Sequence, residues 1–82
     1  MLYGIPLPPR VTAVEALPGW MLLITFDTGE RKRYSVEGLL DLPAFKGLRS
    51  SYHTARVAYG TVVWDGDIDI SPDTLYEKGV AV

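Results

Sequence analysis

The sequence predicts a small α+β domain dominated by antiparallel sheet, with about five to six strands, short helical turns in the middle and a short C-terminal helix. Three observations lead there. Short segments rich in β-branched and aromatic residues recur along the chain, separated by Pro18-Gly19, Asp27-Thr28-Gly29, Gly60 and Asp65-Gly66, which are turn signals between strands. The tail places Ser71-Pro72-Asp73 ahead of Leu75, a helix start with a capping hydroxyl and a proline in the first helical position. The chain has 82 residues, 48% hydrophobic and 22% charged, enough for one core that buries roughly 60–65% of the unfolded surface.

Residues 1–9 read as an extended, proline-rich arm, because Pro6, Pro8 and Pro9 remove amide donors and pre-set φ. Leu2, Tyr3, Ile5 and Leu7 make it apolar, suited to lie on its own domain or on a second copy. A single α+β domain over residues 10–82 follows. Val11 to Leu17 is a strand closed by Pro18-Gly19. Trp20 to Phe26 and Glu30 to Ser35 form a hairpin whose three-residue loop needs Gly29 in the left-handed conformation. That loop sets Phe26 opposite Glu30, Ile24 opposite Lys32 and Leu22 opposite Tyr34, so Leu22, Ile24, Phe26 and Tyr34 share the core face. The first hairpin is open to a one-residue slip, which would exchange its faces.

Ser35 to Leu40 and Asp41 to Leu48 read as short helical turns opened by Ser35 and Asp41, with Leu39, Leu40, Phe45 and Leu48 plugging one end of the sheet. Tyr52 to Tyr59 and Thr61 to Trp64 form the next hairpin, and Asp65-Gly66 turns the chain into Asp67 to Ile70. Ser71 then caps the last helix, Ile70 staples onto Leu75, and Gly79 ends it.

Composition removes several functions. Without cysteine there is no disulfide framework, thiolate nucleophile or cysteine-ligated metal, and a cytoplasmic location is favoured. The first residues lack the basic start of a signal peptide, and no apolar run approaches a membrane span. A net charge of −2 disfavours non-specific nucleic-acid binding by the whole domain. A core this small leaves little room for an enclosed substrate cavity. No cofactor is expected.

Three clusters invite chemistry. Asp65, Asp67 and Asp69 share the spacing of the first half of a calcium-binding loop. The glycine that loop needs at its sixth position is Ile70, and the bidentate acid at its twelfth is Tyr76. These acids, with Asp73, read better as turn and helix-start residues. His53 is the only histidine, and Ser51 would share a strand face with it. No nucleophile-elbow glycines surround that serine, so a structural histidine is the simpler reading. Arg31-Lys32-Arg33 is the only basic run. On a strand Arg31 and Arg33 point one way and Lys32 the other, an arrangement that often only solvates an edge.

One feature resists a purely structural reading. The central strand carries Met21, Leu23 and Thr25 on the face opposite its core residues, whereas a strand with one wet face alternates apolar with polar. Either a second layer of the chain covers that face or a partner does. Arg33 falls beside Leu23 and Arg31 beside Thr25, giving a mixed apolar and cationic patch suited to protein contact. Trp20 and Trp64 flank turns and are expected to cover the ends of the core.

Pro9 to Val14, Leu22 to Glu30 and Gly60 to Trp64, continued through Gly66, Asp69, Ser71, Pro72, Leu75, Tyr76 and Glu77, together resemble the family of small bacterial proteins catalogued as domain of unknown function 2442. The resemblance covers residues 9 to 78. It departs at Ser35, where the family usually carries an acid just after the third strand. Members of such a family stand alone at this length or precede a helix-turn-helix module, which this chain is too short to contain. Their gene neighbourhoods look like those of toxin–antitoxin pairs, and no catalytic residues carry over.

The sequence therefore points to a non-enzymatic protein-interaction module, antitoxin-like in its most concrete form. Its candidate surface is Met21, Leu23, Arg31 and Arg33, and its partner is itself or another small protein. The alternatives are a nucleic-acid or phosphate-binding module using Arg10, Arg31, Lys32 and Arg33, and a small enzyme centred on His53.

Overall fold

The computed structural model describes residues 9–82; apart from Pro9, the arm expected over residues 1–9 lies outside them. Strands β1 (Val11–Leu17), β2 (Met21–Phe26) and β3 (Arg31–Ser35) form an antiparallel meander. A two-residue strand near the end of the chain, β7 (Val80–Ala81), pairs antiparallel with β3, giving the order β1-β2-β3-β7. A second antiparallel sheet holds β4 (Arg56–Ala58), β5 (Thr61–Trp64) and β6 (Ile68–Ile70) in that order. Between β3 and β4 lie three single turns of 3-10 helix and the one-turn helix α1 (Leu48–Ser51). Helix α2 (Pro72–Lys78) joins β6 to β7.

The β2–β3 hairpin has the register its loop demands. Leu22 faces Tyr34 and Ile24 faces Lys32, while the Phe26 amide donates to the Glu30 carbonyl at 2.9 Å. Gly29 sits at φ +89°, where a β-carbon would be strained. The β1–β2 pairing sets Glu15 opposite Leu23 and Leu17 opposite Met21, and a bulge between Val11 and Ala13 absorbs one extra residue. That bulge keeps Val11, Val14 and Ala16 together on the core side, since the extra residue restores the alternation.

One core joins both sheets. Leu22, Ile24 and Phe26 from the first meet Val62, Trp64, Ile68 and Ile70 from the second, with Val36, Leu48, Tyr52 and Leu75 closing the ends. Leu39, Leu40 and Phe45 pack half-buried against this core, the plug expected of the middle segment. Helix α2 starts as predicted: the Ser71 hydroxyl accepts from the Asp73 amide, Pro72 takes the first turn, and Gly79 ends the helix by donating to the Leu75 carbonyl. Lys32 ties the helix to the sheet, its Nζ donating to the Tyr76 carbonyl at 2.6 Å and lying 3.8 Å from the centre of the Tyr76 ring.

Two expectations need correcting. The strand foreseen from Tyr52 begins only at Arg56, because Tyr52–Thr54 is a turn of 3-10 helix that continues α1. The physical cause is Tyr52 itself. Its ring is buried and its hydroxyl lies 2.6 Å from the Leu17 carbonyl and 2.7 Å from the Met21 carbonyl, locking the mouth of the β1–β2 turn. Asp41 caps nothing: the turn at Pro43–Phe45 follows Leu42 without a side-chain cap, and Asp41 instead lies 3.8 Å from Arg49 at the surface. Ser35 does accept from the Glu37 amide at 3.3 Å, although the helical turn there is only three residues long.

Candidate functional site

The candidate surface is the outer face of the first sheet, and cross-strand pairing builds it in three rows. Ala13, Thr25 and Arg31 form one row; Glu15, Leu23 and Arg33 the next; Leu17, Met21 and Ser35 the third. Because side chains alternate along a strand, all nine project away from the core. The structure thus brings Met21, Leu23, Arg31 and Arg33 onto one surface, as their spacing requires. Met21, Leu23 and Thr25 are half-buried, flanked by their cross-strand neighbours, and no helix or sheet of the described residues lies over them. Val80, opposite Arg33 on β7, extends the surface and is exposed.

Two members of this surface escaped the sequence reading. Glu15 flanks Leu23 on the side away from Arg33, and Leu17 flanks Met21. The alternation of Val14, Ala16 and their neighbours carried the signal, but the bulge that sets the register of β1 does not show in composition. Beside Met21, a shallow depression of about 380 Å³ is lined by Arg33, Ser35, Lys78 and Val80. Among the described residues the ion pairs are Arg49 with Asp41 and Arg56 with Asp65. Glu15, Arg31 and Arg33 are therefore charges without an opposite partner in the described part of the chain.

The basic run does not act as a unit. Lys32 turns to the other face and is held against Tyr76. Arg10 lies across Gly60, so close that a β-carbon there would sit 2.7 Å from its Nε. Of the four cations considered for nucleic-acid contact, only Arg31 and Arg33 share a face.

Ser51 and His53 do not share a strand face, because both lie in helical turns. His53 is exposed and its ring rests edge-on against Tyr52. The Ser51 carbonyl accepts from the Thr54 hydroxyl at 2.6 Å, and no hydrogen bond joins Ser51 to His53 among the described residues.

The acidic residues are distributed as turn and cap residues. Asp65 pairs with Arg56 at 2.8 Å and its amide donates to the Thr54 hydroxyl. Asp67 holds a left-handed position at φ +60° after Gly66 at φ +88°. Asp73 occupies the first turn of α2. No group of three acids or histidines converges on a metal site among the described residues. A concavity of about 610 Å³ opens broadly on the outer side of the second sheet, bordered by Arg56, Tyr59, Val63 and Asp69. It lies away from the candidate surface.

Both tryptophans cover the core. Trp64 is 1% exposed and its Nε1 has no acceptor among the described residues, while Trp20 stacks edge-on against Tyr52 at 5.0 Å. A second local cluster fastens α2 to the β2–β3 loop. The Tyr76 hydroxyl lies 2.8 and 3.1 Å from the two carboxylate oxygens of Glu30, and the Thr28 hydroxyl donates to Glu30 as well. These donors, Tyr76 foremost, hold the Glu30 carboxyl below its ordinary range. The same bond to the carboxylate raises the Tyr76 hydroxyl.

Among the described residues, no helix is long and apolar enough to cross a membrane. Neither curated proteins nor solved structures give a match to this chain. A family described as "Protein of unknown function (DUF2442)" matches residues 11–81, from the first residue of β1 to the last of β7, and so takes in every strand and helix above. The paired sheets, the capped helix after Trp64 and the Tyr76 clasp are thus features of a chain that belongs to the DUF2442 family.

Proposed function

We propose that this chain is a non-enzymatic protein-interaction module of the bacterial cytoplasm, docking through the outer face of its first sheet. The observation that carries this reading is the half-buried apolar strip Met21–Leu23 on the central strand, which no layer of the described residues covers. The cations beside it, Arg31 and Arg33, supply the polar rim that protein interfaces have around an apolar centre. The partner is itself or another small protein. The antitoxin-like form of the reading rests on family resemblance alone.

The phosphate-binding alternative is weakened by the dispersal of Arg10 and Lys32, which leaves two neighbouring cations and a correspondingly small salt-dependent term. Leu23→Glu in the full chain tests the docking reading. The substitution should leave the melting curve nearly unchanged and abolish any homomeric or heteromeric complex seen by native mass measurement. A wild-type complex that survives Leu23→Glu and Met21→Lys would remove this face from consideration.

A further inference from the structure

The outer face is not merely apolar; its charges are arranged to complement themselves. In the central row Glu15 stands on one side of Leu23 and Arg33 on the other. The two flanking strands are about 10 Å apart across β2; Glu15 and Arg33 of one chain do not pair with each other, and neither has another ionic partner among the described residues.

Resting on the docking reading above, we infer that the occupant of this face is a second copy of the same chain, related by a twofold axis running along β2 beneath Leu23. The geometry selects that axis. A twofold parallel to β2 lays β1 of one copy over β3 of the other, so Glu15 meets Arg33 twice, symmetrically. Met21, Leu23 and Thr25 then meet their own counterparts on the axis. This is the self-complementarity that a closed dimer requires, each residue contacting the partner of its partner. A twofold perpendicular to the strands would instead stack Glu15 on Glu15 and Arg33 on Arg33, and like charges so placed are repulsive. The strands of the two copies run in the same direction, within the range of aligned sheet packing, with the sheets about 10 Å apart.

The face is small. The twofold superposes three strands of each copy, β1, β2 and β3; at about 4.8 Å per strand and about 3.4 Å per residue they give roughly 15 by 20 Å, below the ~800 Å² per partner of a standard interface. The dimer is therefore a weak one, with a dissociation constant in the micromolar range or above.

Charge reversal tests the pairing in the full-length protein, followed by sedimentation from about 1 µM to about 1 mM. Glu15→Arg alone and Arg33→Glu alone should each raise the dissociation constant at least about tenfold, because each creates two like-charge contacts. The double variant Glu15→Arg/Arg33→Glu should restore it to near the wild-type value. Both residues are exposed, so all three variants should fold, which their melting curves check. A dimer indifferent to the single reversals, or one that the swap fails to rescue, overturns the inference.

A wild-type chain that stays monomeric throughout also overturns it. If that monomer still forms a Leu23→Glu-sensitive complex with a different protein, the docking reading stands and only the second-copy assignment falls. If it forms none, and its Leu23 methyl resonances move in the full chain carrying Leu2→Ser, Ile5→Ser and Leu7→Ser, the chain's own first residues are the cover and both readings fall.

Discussion

The two faces of β2 are made of similar side chains and lead different lives. Leu22, Ile24 and Phe26 are sealed against the second sheet, with exposures of 0, 0 and 1%. Met21, Leu23 and Thr25, one residue out of phase, are half-buried with only their own sheet for company. The difference is not hydrophobicity. It is that the described residues supply one opposing layer and not two: the second sheet, α2 and the middle turns all gather on the inner side. An apolar strip in a chain this short therefore says that a surface can be covered, and the topology decides which strip the chain covers itself.

The sharpest way to break this comparison is to truncate one residue on each face. Ile24→Ala leaves a cavity in the shared core and should cost about 2–5 kcal/mol of stability. Leu23→Ala, one residue away, should cost within about 1 kcal/mol in the monomer, measured by urea unfolding at low protein concentration. Equal losses at the two positions would mean that the outer face is as closed as the inner one.

Next in size is Tyr52→Phe, which strips the hydroxyl from the Leu17 and Met21 carbonyls and should cost about 1–3 kcal/mol. Burial raises the Tyr52 hydroxyl above the ordinary tyrosine range. The folded state thus favours the protonated form. Its contribution is complete below the unfolded pKa of about 10 and is lost as pH rises through the raised folded value. Alkaline unfolding should accordingly be less steep in Tyr52→Phe than in the wild type. This variant also sharpens the comparison, because Tyr52 reaches from the middle turns to the rim that both faces of β2 share.

The smallest effect is expected at the Glu30–Tyr76 clasp, which is exposed. Glu30 is held below its ordinary range first by Tyr76 and then by Thr28. Its contribution is therefore present above the ordinary carboxylate pKa and is lost as pH falls through the lowered folded value. Tyr76→Phe should move the Glu30 carboxyl resonance titration upward and flatten the acid limb of the stability profile, while leaving the outer face of the sheet unchanged. A Tyr76→Phe variant that altered self-association would tie α2 to the docking surface after all.

Much of this fold can be read from local chemistry. The three-residue loop closed by Gly29 specifies its hairpin because only one register suits that turn, and the pairs Leu22–Tyr34 and Ile24–Lys32 follow. Ser71, Pro72 and Gly79 delimit α2 because each satisfies or removes a backbone group at a helix end. Tyr52-His53-Thr54 misled for the complementary reason. Its alternation imitates a strand, yet the backbone stays helical so that one tyrosine can reach two carbonyls more than thirty residues away in sequence. The two-residue β7 is too short for any periodicity, and it forms because Gly79 lets the chain pass within van der Waals reach of Lys32.

The sequence by itself determined the turns, the two ends of α2, the second hairpin's register and therefore the shared face of Met21, Leu23, Arg31 and Arg33, since each depends on residues only a few positions apart. Tertiary structure alone decided that Glu15 stands across Leu23 from Arg33, that Lys32 is committed to Tyr76, and that the chain's second layer lies on the other side of β2. Those outcomes depend on a bulge and on packing between distant segments, where the free energy comes from burying surfaces against each other and no local pattern records which surfaces meet.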